Sequence, residues 1–136
     1  MENLSFLLVE DSPVDAFFFK NTVAEAGLPN PVQWVETADQ AIAYLAGEGR
    51  YRNRNSFPFP SVMLLDLMLK GISGLDILPI VRSRYPSDDL LIIVLSGTDD
   101  PSAVRTASQR KADAFMPKPI RAKDLINLAA QFPYHF

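Results

Sequence analysis

Five polar residues of this 136-residue chain share a setting: each stands at the end of an apolar run. Glu10 and Asp11 follow Leu4-Ser5-Phe6-Leu7-Leu8-Val9, and Asp66 follows Val62-Met63-Leu64-Leu65. Ser96 follows the stretch from Leu90 to Leu95, and Lys118 comes after Ala114-Phe115-Met116-Pro117. Short apolar runs of this kind read as strands buried on both faces. An ionised Asp66 at the end of one is costly unless something pairs with it. Singly, each residue is bland. A Glu-Asp pair after a strand commonly caps a helix, Asp66 can cap local amides, and a lone Lys is commonly solvated. Together they form a chemical device. Clustered carboxylates repel, and a hard dication with oxygen ligands, Mg²⁺ or alternatively Mn²⁺, relieves the repulsion. Lys118 adds a point charge near the same oxygens. A carboxylate held in this way is oriented to attack a phosphorus centre and give an acyl phosphate. The phosphoryl charge then falls to the metal, the Lys118 ammonium, the Ser96 hydroxyl and nearby backbone amides. Gly97 leaves room for a phosphoryl group to approach the backbone.

The elements that must position these residues follow from the punctuation between the runs. Ser12-Pro13 reads as a helix start, with Ser as cap and Pro in the first turn, and Gly27 and Pro29 stop that helix after Ala26. Phe19, Val23 and Ala26 share its inner face, and Phe17 or Phe18 is expected at the rim. That rim reads either as the edge of a broad buried stripe or as an apolar patch where a partner helix docks. Pro31 to Val35 is a short strand, and Thr37 caps a helix through Ala46. The stretch from Gly47 to Pro60 is the one long irregular segment, expected to be pinned by Phe57 and Phe59 or to contact a partner. Lys70-Gly71-Ile72-Ser73-Gly74 turns into a helix over Leu75 to Arg84, with Pro79 inside it. Asp99-Asp100-Pro101 opens a helix to about Arg110, and the last helix spans about Arg121 to Gln131. Five β-α units with aliphatic strands imply one α/β domain, a parallel sheet covered by helices on both faces. In such open sheets the functional crevice lies at the carboxyl ends of the strands. All five polar residues stand there.

Composition narrows the classes. Hydrophobic residues at 48% and charged residues at 21% describe a folded globular domain. The net charge of −3 argues against nucleic acid as a partner. Cysteine is absent, which removes disulfides, thiolate metal sites and thiol catalysis. No leader or membrane span is visible, so no membrane partner and a cytoplasmic location are expected. The terminal Phe132, Tyr134 and Phe136 read as core or as a homodimer contact, and the lone His135 as a surface residue.

Glu10-Asp11, Asp66, Ser96-Gly97 and Lys118-Pro119, in this order and each at its own strand end, resemble the receiver domain of bacterial two-component response regulators. The resemblance covers nearly the whole chain. It implies a doubly wound (βα)5 sheet in flavodoxin-like order 2-1-3-4-5. Asp66 would accept phosphate from a phosphohistidine of a sensor histidine kinase or histidine phosphotransfer protein. Glu10, Asp11, Asp66 and the backbone carbonyl of Met68 would hold Mg²⁺. Ser96 would be the hydroxyl that swings toward the phosphate, Lys118 the ion-pairing cation, and Phe115 the aromatic that moves with the switch. Pro119 would follow a cis peptide bond. The long loop before the Asp66 strand and the short tail also resemble stand-alone receivers paired with bacteriophytochrome kinases. No output domain is expected within residues 1–136, so the output is a protein contact or a relay step. Two positions depart from the pattern: Lys70 stands where receivers usually carry Pro, and Ser73 where Asp is common before the glycine. Met68 and Thr98 occupy positions that tune hydrolysis in the family, and neither is an acid or an amide. The acyl phosphate is therefore expected not to be unusually short-lived.

Three rival readings are separable. A receiver-like scaffold that no longer switches would take no phosphate. A phosphatase or phosphotransferase needs a second acid beside its nucleophile, whereas Leu67, Met68 and Leu69 follow Asp66. A flavin-binding protein needs a phosphate-cradling Ser/Thr/Gly run after the first strand, and none is present. The expectation is a phosphoacceptor and not a turnover enzyme.

Overall fold

The computed structural model of the protein describes residues 4–97 and 100–136. The first half of the chain runs β1 (Phe6–Val9), α1 (Pro13–Glu25), β2 (Val32–Val35), α2 (Ala38–Ala46) and β3 (Val62–Asp66). A hairpin of two-residue strands follows, β4 (Met68–Leu69) and β5 (Ile72–Ser73). The second half is α3 (Gly74–Arg84), β6 (Leu91–Ser96), α4 (Pro101–Gln109), β7 (Ala114–Pro117) and α5 (Ala122–Gln131). Thr98 and Asp99 lie outside the described residues. None of the described helices is long and apolar enough to cross a membrane.

Five parallel strands pair in the order β2-β1-β3-β6-β7, which is the expected 2-1-3-4-5 arrangement with the small hairpin set aside. Side chains along each strand alternate between the two faces. Leu7, Val9, Met63, Leu65, Ile92 and Val94 pack on one side, against Ala41, Tyr44, Ile77, Leu78, Val81 and Ala107 of α2, α3 and α4. Phe6, Leu8, Leu64, Ile93 and Leu95 pack on the other, against Phe19 and Val23 of α1 and Leu125 and Leu128 of α5. Both faces of the sheet are therefore covered. Val9 lies opposite Leu65, and Asp66 opposite Leu95, so the strands finish nearly level. That level edge carries the polar residues.

The first helix starts as expected, with the Asp15 amide donating to the Ser12 hydroxyl at 3.2 Å and Pro13 in the first turn. Gly27, at φ 71°, takes the left-handed conformation beyond its end. Phe19 and Val23 are buried, and the expectation that Phe17 or Phe18 lies at the rim is met by both, at 64% and 60% exposed. On a helix, three consecutive residues span most of the circumference, and only Phe19 falls on the stripe facing the sheet.

The 47–60 segment is anchored more firmly than its composition suggests. Arg54 donates from Nη1 to the carbonyls of Tyr44 and Phe57 and from Nη2 to that of Leu45. A guanidinium thus ties the Phe57 carbonyl of the loop to the last-turn carbonyls of α2, that of Tyr44 also accepting from the Gly47 amide. Phe57 stands edge-on to both Tyr44 and Tyr51, and Phe59 packs on Tyr85, so both phenylalanines pin the loop. The aromatic tail divides. Phe132 and Phe136 pack on the α1–α5 side of the core, with Phe136 edge-on to Phe6 at 5.3 Å, while Tyr134 is 90% exposed. Two of the three aromatics expected to suit a dimer are thereby occupied within the chain. His135 lies at the surface, its Nε2 3.3 Å from the Asp88 carbonyl.

The turn after β3 closes tightly on the acceptor strand. Ser73 caps α3 by accepting from the Leu75 amide, and the Gly74 amide donates to the Leu67 carbonyl at 2.7 Å. A Cβ at position 74 would stand 2.3 Å from the Asp66 carbonyl oxygen and 3.1 Å from its carbon. Both are backbone atoms, so nothing can rotate away. Gly74→Ala should lower unfolding stability by about 1–3 kcal/mol, the usual cost of overpacking a rigid contact. Urea denaturation of the two proteins measures it, and equal midpoints would contradict the crowding.

Candidate functional site

The crevice at the carboxyl edge gathers Glu10, Asp11, Asp66, Ser96 and Lys118. β1 delivers Glu10, whose amide donates to the Val35 carbonyl and whose carbonyl accepts from the Trp34 indole at 2.6 Å. The end of β3 delivers Asp66, 4% exposed, with Oδ1 accepting from the Met68 amide at 3.1 Å. Ser96, fully buried, ends β6, and its carbonyl accepts from the Lys118 amide at 2.7 Å. That bond fixes the backbone from which the lysine reaches back into the crevice. The Lys118–Pro119 peptide is cis.

The ammonium of Lys118 is the hub. Its Nζ lies 2.5 Å from Glu10 Oε1, 3.2 Å from Asp66 Oδ2 and 3.2 Å from Asp15 Oδ2. Glu10 is 2% exposed and its other oxygen accepts from the Ser12 amide. Burial, reinforced by a hydrogen bond to the Asp66 carboxylate and partly offset by Lys118, raises the Glu10 carboxyl to about 7. Burial alone would depress the Lys118 ammonium, but the Glu10 hydrogen bond and the charges of Asp66 and Glu10 outweigh it and raise it. One ammonium is too little positive charge for these carboxylates.

One oxygen each of Glu10, Asp11 and Asp66 lie within 4.8 Å of one another. An all-oxygen donor set of this charge suits a hard divalent cation, and the proton that Glu10 retains marks charge such an ion would balance. Met68 follows with its side chain 70% exposed beside the site. A Cβ built on Gly97 meets nothing within 4 Å, so the space above it is open. Phe115 stands one strand away, opposite Val94 on β7, partly buried against the α2–α4 side of the core. Thr98, the second position expected to tune hydrolysis, is outside the described residues. Beside the crevice, a cavity of about 280 Å³ opens between α1 and the Pro119-Ile120 segment, with Leu8, Phe18, Phe19 and Leu95 among its walls and Lys118 at its polar end.

Asp15 is the residue that the sequence reading missed. Its place three positions after Ser12 has the form of an ordinary helix-capping pattern, and nothing in the local spacing shows that its carboxylate reaches a lysine 103 residues away.

Comparisons with known proteins agree with this geometry. Residues 6–130 match the response regulator receiver domain family. The bacteriophytochrome response regulator AtBRR superposes with a TM-score of 0.83 at 27% identity, covering 100% of this chain and 96% of that one. The bacteriophytochrome response regulator RtBRR gives 0.80 at 30% identity, covering 95% and 77%. The two-component response regulator ORR1 of Oryza sativa subsp. japonica is 23% identical over 124 residues, 90% of this chain and 52% of that protein. The chain thus spans about half the length of that curated relative. With the acidic cluster, the lysine and the strand order in place, the chain belongs to the response regulator receiver domain family.

Proposed function

We propose that the chain is a phosphoacceptor of a two-component system, taking a phosphoryl group onto Asp66 from a phosphohistidine of a sensor kinase or phosphotransfer protein. The observation that carries this reading is the setting of the Asp66 carboxylate. It is buried at the crevice, with one oxygen on the Met68 amide and the other on the Lys118 ammonium, inside a cluster of acidic oxygens. Glu10, Asp11, Asp66 and the Met68 carbonyl would hold Mg²⁺, or Mn²⁺ in its place. The ion supplies charge balance between an anionic donor and an anionic acceptor.

The chain's own groups do the rest. An Asp66 oxygen attacks phosphorus, an O–P bond forms as the N–P bond breaks, and the electron pair returns to the donor imidazole, which takes up a proton from solvent. Lys118 and the Met68 amide hold the charge that accumulates on the acceptor side. The added charge of about −2 then draws in the Ser96 hydroxyl, and Phe115 follows, reshaping the surface around α4 and β7. No acid follows Asp66 on β3 or β4, which supports an acceptor over an enzyme that turns over phosphate esters. The exposed Val14, Phe17 and Phe18 on α1, beside the crevice, support a protein donor. The similarity to bacteriophytochrome response regulators favours a phytochrome-type kinase as that donor.

Incubation with acetyl phosphate and Mg²⁺ should add one phosphoryl mass to the intact protein, and Asp66→Asn should abolish the gain. A gain that survives this substitution, or none in the wild type, overturns the reading. Ser96→Ala should still accept phosphate, while the amide chemical shifts of α4 and β7 stop responding to it. A full response in that variant would sink the switch. Divalent binding should depend on pH through Glu10. Below about 7 a proton must leave before the ion binds, so affinity falls as pH falls. Calorimetric titration with Mg²⁺ should give about tenfold weaker binding at pH 6 than at pH 8. Equal affinities would show that Glu10 takes no part.

A further inference from the structure

A second polar cluster holds the start of β7, at the far end of that strand from the crevice. Arg82, in the last turn of α3, has a side chain only 5% exposed. Its Nε donates to the Lys111 carbonyl at 2.8 Å, and Nη1 to the carbonyls of Leu90 at 2.6 Å and Tyr85 at 3.2 Å. Nη2 pairs with Asp113 Oδ2. The same oxygen accepts from the Ile92 amide at 2.8 Å, and the Asp113 amide donates to the Ile92 carbonyl at 2.8 Å. Asp113 therefore takes up both main-chain groups of Ile92, just ahead of the first β6–β7 pair, Ile93 with Ala114.

An anchor matters there because the strand's own residues do not choose a register. β7 is a four-residue strand at the edge of the sheet, and its last residue, Pro117, has no amide to donate. Both of its faces are apolar: Phe115 packs on the α2–α4 side, Ala114 and Met116 on the α1–α5 side. A slip of one residue would exchange apolar side chains for apolar side chains, so burial opposes it weakly. It would also carry Lys118 about 3.3 Å along the sheet and turn its side chain to the other face. The Lys118 ammonium meets Glu10 at 2.5 Å and Asp66 at 3.2 Å, and such a shift takes the cation off both.

We propose that Asp113, clamped by Arg82, is a positioning residue: it sets the register of β7 on β6 and thereby places the Lys118 ammonium in the crevice. The register stands on this geometry alone, and only its effect on phosphoryl binding rests on the phosphoacceptor reading.

The test compares wild type, Asp113→Ala and Asp113→Asn. Asp113→Ala leaves a buried guanidinium without its partner, so Asp113→Ala/Arg82→Met, which removes that charge as well, is measured beside it. Register is read by NMR from the cross-strand contacts of Phe115 with Val94. Placement of the cation is read from the affinity for beryllofluoride, a phosphoryl mimic, in the presence of Mg²⁺. Both alanine variants should lose the Phe115–Val94 pairing and bind the mimic about tenfold more weakly, the worth of one charged hydrogen bond. Asp113→Asn keeps an oxygen for the Ile92 amide and should retain both. Wild-type pairing in the two alanine variants overturns the proposal, whatever their stability. So does lost pairing with unchanged affinity, because the register would then not place the lysine. A wild type that takes no beryllofluoride fails differently: the phosphoacceptor reading falls, while the β6–β7 contacts still decide whether Asp113 sets the register.

Discussion

Three carboxylates share a single ammonium at the carboxyl edge of the sheet, and two of them, Glu10 and Asp66, are almost wholly removed from water. Burying ionised groups is costly, and a pairing that leaves surplus negative charge does not fully offset the cost. The surplus is visible in Glu10, which holds its proton up to about neutrality because of its burial and its neighbour Asp66. A site in this condition is stabilised by anything that brings positive charge to its oxygens. By the same electrostatics it would respond to further negative charge on one of those oxygens, so the proposed metal binding and the proposed phosphoryl transfer would share one physical origin.

The fold's part is to keep these groups close despite their repulsion. Parallel strands that finish nearly level present Glu10, Asp66 and Ser96 along one edge, and main-chain bonds hold each in place. The Glu10 amide bonds to Val35, the Lys118 amide to Ser96 and the Gly74 amide to Leu67. The aliphatic layers on both faces of the sheet supply the free energy that supports this arrangement, and none of it has to come from the polar edge.

Much of the fold could be read from the sequence because it rests on strong local signals. Near-continuous apolar runs marked β1, β3 and β6, shorter mixed stretches marked β2 and β7, and Ser12-Pro13, Thr37 and Asp100-Pro101 marked helix starts that the structure bears out. The grouping of Glu10, Asp11, Asp66, Ser96 and Lys118 was accessible for a topological reason: residues at successive strand ends must converge in a parallel sheet. What stayed hidden depends on contacts between distant segments. The β4–β5 hairpin is two residues deep on each side and has no periodicity to detect. Arg54 reads as one of several loop arginines until its carbonyl partners on α2 are seen. The outward turn of both Phe17 and Phe18 is set by which arc of α1 faces the sheet. Asp15 looks like a capping residue because the competitor that displaces it, Glu10, acts through space.

The bond from the Trp34 indole to the Glu10 carbonyl has a practical corollary. The chain contains one tryptophan, and that residue hangs from the peptide that carries a carboxylate of the crevice. Its emission therefore comes from one fixed spot, uncontaminated by any second indole. The molecule carries its own optical probe of the acidic cluster, and occupancy of that cluster can be followed by fluorescence on unlabelled protein.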